Sequence, residues 1–510
     1  MLTRFLAAAL VGAASPALAQ SMPMSMPGMT MPAPHKPAHG KKPAAKKNKG
    51  SKKKAVAPAK QHGGHPAKIE TPSSAAPRPE PMPGMTMPMP ETGKSMPQME
   101  QMDHPQTGPM PGMPMAQGGH GASGMAMNGA LGRYPMQRES SGTSWQPDTS
   151  APMGLMKMSG GWTLMAHGLV NFVYDHQSGP RGDDKAFASG MLMGMAQRPL
   201  GSGTLQLKAM VSPDPLMGPR GYPLLLASGE TANGRDRLID RQHPHDFFME
   251  LSASASQDVG KSSSVFLYGG LPGEPAFGPP AFMHREAIAD SPEAPISHHW
   301  LDSTHISFGV VTAGMVVDRV KLEVSRFNAR EPDQHRWNIE TGPLDSTSVR
   351  LSWNPTRTLA LQGSWGRFRD PEQLEPGVDQ KRWSASALWA TEIAPGWKLA
   401  GTLAWGRKSV EHHHDDAYVA EASVKHDAWT VFGRGEVTEN RELLEGVENG
   451  PAFPVGKVSV GAVRDFRVAD HLSLGAGGLV ALNFVPDGLA PLYGGKHPTG
   501  AMAFVRLKLD

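Results

Sequence analysis

The chain has 510 residues, with 58 glycines, 48 prolines, 32 methionines and no cysteine. Without cysteine there are neither disulfides nor thiolate metal sites. A formal net charge of +3 gives no electrostatic case for a nucleic-acid partner or an acidic tail.

Arg4 precedes an apolar run over residues 5–14, and Ala17-Leu18-Ala19 is a small-x-small cleavage site before Gln20. This is the pattern of a secretory signal peptide over residues 1–19. No cysteine follows it to carry a lipid anchor, and no later run of about twenty apolar residues suggests an inner-membrane helix. The mature chain is expected to be exported.

Residues 20–160 are rich in Pro, Gly, Met, Lys and Ala, with almost no branched aliphatics. Such a composition cannot build a core, so the segment reads as a disordered extension. It contains a repeat. Met26, Met29 and Met31 stand in Met-Pro-Gly-Met-Thr-Met-Pro, which recurs letter for letter around Met82, Met85 and Met87. Met110, Met113 and Met115 form a near copy, and six histidines (35, 39, 62, 65, 104 and 120) are interspersed. Thioethers are soft ligands suited to Cu(I), and imidazole also suits Cu(II). On a Pro/Gly backbone such donors would wrap a cuprous ion with little strain. The alternative is a plain low-complexity linker. The lysine block over residues 41–60 could touch anionic lipid or cell-wall polymer, and otherwise reads as a solvated spacer.

From residue 161 the pattern changes to a two-residue period. In residues 162–174, Trp162, Leu164, Ala166, Gly168, Val170, Phe172 and Tyr174 fall on one face, opposite Thr163, Met165, His167 and Asn171. Similar segments follow at 187–197, 204–211, 247–256, 265–268, 306–316, 320–327, 346–353 and 359–368. Others lie at 383–391, 397–407, 417–424, 429–436, 455–463, 472–484 and 501–509. Apolar faces, aromatic ends and short turns alternating with longer loops predict an all-β fold. It is a transmembrane antiparallel outer-membrane β-barrel of about sixteen strands (roughly 12 to 18) over 161–510. Closure would remove the edges so many strands otherwise leave. One feature departs from the pattern: such barrels commonly end on an aromatic residue, whereas this sequence ends in Leu509-Asp510.

Two histidine-carboxylate clusters precede strands and are expected at one rim. His243, His245 and Asp246 form the first; His298, His299, Asp302 and His305 form the second. They offer nitrogen and oxygen donors for a divalent ion, but their spacing matches no closed zinc motif. Equally, they could order loops by hydrogen bonding. His412, His413 and His414 fall in an expected hairpin loop, and His167 with Met165 could extend a ligand path along the first strand. The inward charges Lys208, Glu250, Lys321, Glu323, Arg350 and Arg382 are expected to pair across the lumen. Ser303 with His305, or Ser297 with His298, could be cast as a lipid-hydrolase pair, but no nucleophile elbow accompanies them, and no enzyme activity is expected.

The Met/His-rich exported extension before a barrel resembles the copper-resistance protein B family, on the strength of the three Met repeats and the overall layout. The stretches 241–246 and 297–305 look like those of uncharacterised exported proteins of metal-resistance gene clusters. The resemblance implies a barrel in the outer membrane of a Gram-negative bacterium with its extension in the periplasm. It also implies copper ion as ligand, a role in binding, passage or resistance, and periplasmic copper-handling proteins as partners beside outer-membrane lipid. The runner-up reading is a general porin-like or structural barrel whose extension is only a linker.

Overall fold

Alternation along each strand puts apolar side chains on one face and polar ones on the other, and the chain resolves that conflict by winding the sheet shut. The computed structural model describes residues 127–151, 154–447 and 450–509. The signal peptide and Met26, Met29, Met31, Met82, Met85, Met87, Met110, Met113 and Met115 lie outside the described residues.

The strands are β1 (Leu155–Ser159), β2 (Trp162–Gln177), β3 (Asp184–Leu200), β4 (Gly203–Val211), β5 (Tyr222–Thr231), β6 (Arg237–Gln242), β7 (Phe248–Asp258) and β8 (Ser263–Gly270). There follow β9 (Val310–Val317), β10 (Val320–Phe327), β11 (Ser346–Trp353), β12 (Leu359–Phe368), β13 (Gln380–Ala394) and β14 (Trp397–Val410). The last are β15 (His413–His426), β16 (Trp429–Asn440), β17 (Phe453–Ala469), β18 (Leu472–Phe484) and β19 (Thr499–Leu509). Sixteen of them, β2–β4 and β7–β19, pair antiparallel in sequence order. The ring closes where β19 meets β2, with Phe504 opposite Val173. All sixteen expected strands are present, and closure leaves none of them with an open edge.

β1 was not expected. It pairs with the start of β2, Leu155 opposite Ala166, and takes up the lane that β19 leaves where Leu509 faces Gly168. Nor were β5 and β6, which form a separate two-stranded sheet in the connection between β4 and β7.

The outward face is greasy. Phe172, Leu267 and Val480 are 57, 60 and 64 % exposed, values that a water-facing surface would not tolerate in such a continuous band. Trp353, Trp397 and Trp429 are exposed near the short turns, and Tyr174, Trp365 and Tyr418 toward the long loops, giving an aromatic girdle at each end.

The inward face departs from a water-filled channel, because three segments fill the lumen. Residues 127–151 are part of the folded unit, although their composition groups them with the extension. Trp145, Tyr134 and Leu131 pack on Phe266 and Val316. Arg138 reaches Asp148 through two bonds of 2.7 and 3.0 Å and covers the rings of Tyr134 and Trp145. These contacts with sequence-distant wall residues supply the apolar burial that the segment lacks by itself. From the long-loop end, residues 212–247 and 271–309 fold inward. Leu224, Leu225 and Leu226 are fully buried with Phe282, Ile288, Phe432, Val463 and Phe504.

Ion pairs tie this filling to the wall. Arg285 joins Asp302 (2.6 Å) to Glu421 on β15 (2.7 Å), and Arg434 on β16 holds Glu436 and the inserted Glu293. The inward charges expected to pair across the lumen pair along the wall instead, within one strand or between neighbours: Lys208–Glu250 at 3.6 Å, Lys321–Glu323 at 3.3 Å and Arg350–Glu323 at 3.0 Å. Arg382 instead donates to Gln380, to the Ser303 hydroxyl and to the His299 carbonyl.

Candidate metal centre

The two histidine clusters do not sit on the rim. The loops that carry them turn into the lumen, where His243, His245, His298, His299 and His305 come together, all buried. Ring centroids lie 5.1 Å apart for His245–His305, 5.2 Å for His298–His305, and 5.5 Å for both His298–His299 and His243–His299. Two imidazoles sharing a tetrahedral ion at ordinary nitrogen distances would have centroids about 5 Å apart. Phe282 closes one side, against His245, His298 and His305.

Local structure explains how the second cluster reaches this place. A single helical turn, His298–Leu301, is followed at once by a 3-10 turn, Ser303–His305, so His298 and Asp302 share a face and His305 curls back toward them. His243 and His245 are brought in by the irregular segment that follows β6, beside Asp214 in the turn after β4.

Four of the five rings are held by Nδ1. That of His245 lies 2.8 Å from Asp214, that of His298 2.9 Å from Asp302, that of His299 3.1 Å from Glu331, and that of His305 2.7 Å from the Asp302 carbonyl. Carboxylates and carbonyls only accept, so Nδ1 carries the proton and Nε2 keeps its lone pair. Metal-ligating histidines are commonly oriented in this way. The Nε2 atoms of His245, His299 and His305 are buried with no hydrogen-bond partner. Burial holds His243, His298 and His305 below the ordinary imidazole range, toward the neutral form that binds metal. Burial works against His299 too, but the Glu331 carboxylate outweighs it and raises that group. His243 is turned the other way, with Nε2 3.0 Å from Glu230, whose own carboxyl burial pushes up to about 7 despite the neighbouring Arg336.

The two aspartates stand behind the imidazoles. Asp302 is occupied on both oxygens, by His298 and Arg285; Asp246 accepts from Arg336 at 3.2 Å and has its other oxygen unpartnered. Burial opposes ionisation of Asp302, yet Arg285 and His298 hold its carboxyl well below the usual range. Among the described residues, no three His, Asp or Glu side chains already form a closed metal shell. The donor types and the orphaned nitrogens are those an ion would use.

Glu230, Glu331 and Asp214 escaped sequence reasoning. They lie about 13 to 32 residues from the histidines they hold, and nothing short of the fold signals the pairing. The serines proposed for a hydrolase are engaged elsewhere: Ser297 donates to Glu436 at 2.7 Å, and Ser303 accepts from Arg382 at 2.9 Å. Of the other histidines, His413 and His414 lie on β15, with His413 4.0 Å from Asp415.

No protein-family model and no curated protein matches the chain in sequence. Among solved structures, OmpT of Vibrio cholerae aligns over 69 % of this chain and 100 % of its own, at 8 % identity and TM-score 0.38. An anion-selective porin from Comamonas acidovorans covers 68 % and 100 % at 11 % identity and TM-score 0.37. OmpF of Salmonella typhi, solved with daunomycin, covers 70 % and 100 % at 11 % identity and TM-score 0.43. The fold is that of an outer-membrane β-barrel. That statement rests on the chain's own closed strand ring and apolar exterior.

Proposed function

We propose that this protein sits in the outer membrane of a Gram-negative bacterium and binds copper or a related ion, for capture, passage or resistance. The observation that carries this reading is the group of buried imidazoles whose Nδ1 atoms are anchored and whose Nε2 atoms are left without partners. A buried unsatisfied nitrogen costs about 1–3 kcal/mol, so three in one place call for a ligand.

A filled lumen supports an ion rather than a bulky solute as cargo. A cavity lined by His243, His245 and Phe282 measures about 50 Å³, room for a water or an ion. The resemblance of the methionine repeats to the copper-resistance protein B family supplies the metal. Met26, Met29, Met31 and their copies would capture Cu(I) on the periplasmic side and raise its concentration near the barrel, beside periplasmic copper-handling partners.

The test is copper bound per mature chain, together with copper tolerance of the cells. Deleting residues 20–113 and substituting His298→Leu with His305→Leu should each lower both. Unchanged stoichiometry and tolerance in both variants would leave only a structural barrel.

A further inference from the structure

Ten methionines lie beyond residue 160, and six of them stand on β2, β3, β4 and β7 (Met165, Met191, Met193, Met195, Met210 and Met249). The strand register sets them side by side. His167 is directly opposite Met193, Met165 opposite Met195, and Met193 opposite Met210. Side chains at such paired positions stand about 5 Å apart at Cβ. Met191, Met210 and Met249 share one buried cluster, against which Met193 and Met283 pack.

Above this patch lies the turn Phe282–His284 of the inserted loop. His284 is 3 % exposed, and neither of its ring nitrogens has a partner. Its ring is 6.2 Å from that of His167, whose Nε2 is also buried and unpartnered. Burial holds His284 down to about 3, so its ring is neutral with a free lone pair. Lys208, a cation opposite Met195, is taken up by Glu250 and the Gly142 carbonyl.

We propose that the methionines of β2, β3 and β4, with His167, Met283 and His284, form a second metal site, selective for a soft monovalent ion such as Cu(I) or Ag(I). Thioethers and neutral imidazoles are the donors such ions prefer, and the carboxylate beside them, Glu250 opposite Met210, is already engaged by Lys208, Ser252 and Tyr268. Methionine also serves as a flexible gap filler, but packing alone would not place two imidazoles with orphaned nitrogens in the same cluster. The turn Phe282–His284 links this site to the histidine centre: Phe282 touches His245 and His298, while His284 touches His167. A cavity of about 50 Å³ is lined by Met191 and Met283 as well as His243 and His245. Two sites of different softness therefore stand in series along the lumen, an arrangement that rests for its purpose on the metal-handling reading above.

The experiment uses the full mature chain in detergent, with methionine methyl groups labelled by carbon-13, titrated with Ag(I) and separately with Zn(II). Met193→Leu and Met210→Leu identify the patch resonances; both are volume-conserving and keep the packing. Silver should shift the Met193 and Met210 methyl signals, and His284→Leu should remove an equivalent of bound silver per chain. These shifts should persist when His298→Leu and His305→Leu abolish Zn(II) binding. Silver that moves only other methionine signals overturns the second site while leaving the histidine centre intact. Should His284→Leu not fold, Met193→Leu with Met210→Leu must lose the equivalent instead, and retention of it counts against the site.

Discussion

Asp302→Asn separates a metal-ordering role from a purely structural one. In the native cluster one Asp302 oxygen accepts from His298 Nδ1 at 2.9 Å and the other from Arg285 at 2.6 Å. An asparagine has one acceptor and one donor group. Arg285 is a cation with donors only, so it keeps the carbonyl oxygen, and the amide NH2 then faces His298. The imidazole must present a lone pair there, which moves its proton to Nε2 and removes that nitrogen as a ligand. Loss of such an orienting partner typically weakens metal binding about 10- to 100-fold, about 1.4–2.7 kcal/mol. Glu421→Gln is the comparison: it also touches Arg285, at 2.7 Å, but no histidine. Taking one carboxylate from a fully buried guanidinium should cost about 3 kcal/mol of stability. Chelator-competition titrations with Zn(II) and Cu(II), beside thermal unfolding in detergent, read both quantities. Each variant takes one carboxylate from Arg285, so both should lose comparable stability, but only Asp302→Asn should also lose metal affinity. Equal affinity losses in the two variants would refute the tautomer argument.

Gly229→Ala tests the same cluster from the backbone: at φ +110° an added Cβ would lie 2.7 Å from His299 Cε1 and Nε2, so the ring must move and metal affinity should fall in the same titration. Acid stability offers a second reading of burial. His284 is held at about 3 in the fold against an ordinary value near 6.5, so below pH 6.5 the unfolded chain takes up a proton that the folded one refuses. Stability should fall by roughly 1.4 kcal/mol per pH unit from this group, and denaturant midpoints of His284→Leu should decline less steeply than wild type between pH 6 and 4. Removal of residues 127–151 should open the short-turn end of the lumen; liposome swelling with small sugars, slow for the full chain, should quicken. Arg350→Met, which strips the buried Glu323 of its 3.0 Å partner and releases Thr143 of that same segment, should cost about 3–5 kcal/mol in thermal unfolding.

The wall of the barrel was legible in the sequence because a two-residue period is a local signal. Trp397, Leu399 and Trp405 alternate with Lys398 and Ala400 whatever surrounds them, and all sixteen strands carry that mark. The filling was not legible, because its stability comes from contacts between distant residues. Nothing in the run Leu224–Leu226 says that it will meet Phe432 and Phe504 inside a cylinder, and nothing near Trp145 points to Phe266. The histidines stood out by composition, yet their partners Asp214, Glu230 and Glu331 are carboxylates that no local pattern distinguishes. Reading the clusters at a rim followed from assuming that long loops point outward; here the apolar content of residues 212–247 and 271–309 draws them in.

The most direct test of copper at the histidine centre is an anomalous difference map from crystals of the mature protein loaded with copper, recorded at the copper edge. A peak bounded by His245, His298 and His305 is the expected result. Copper found only on the outer surface, with that space carrying no signal, would contradict it.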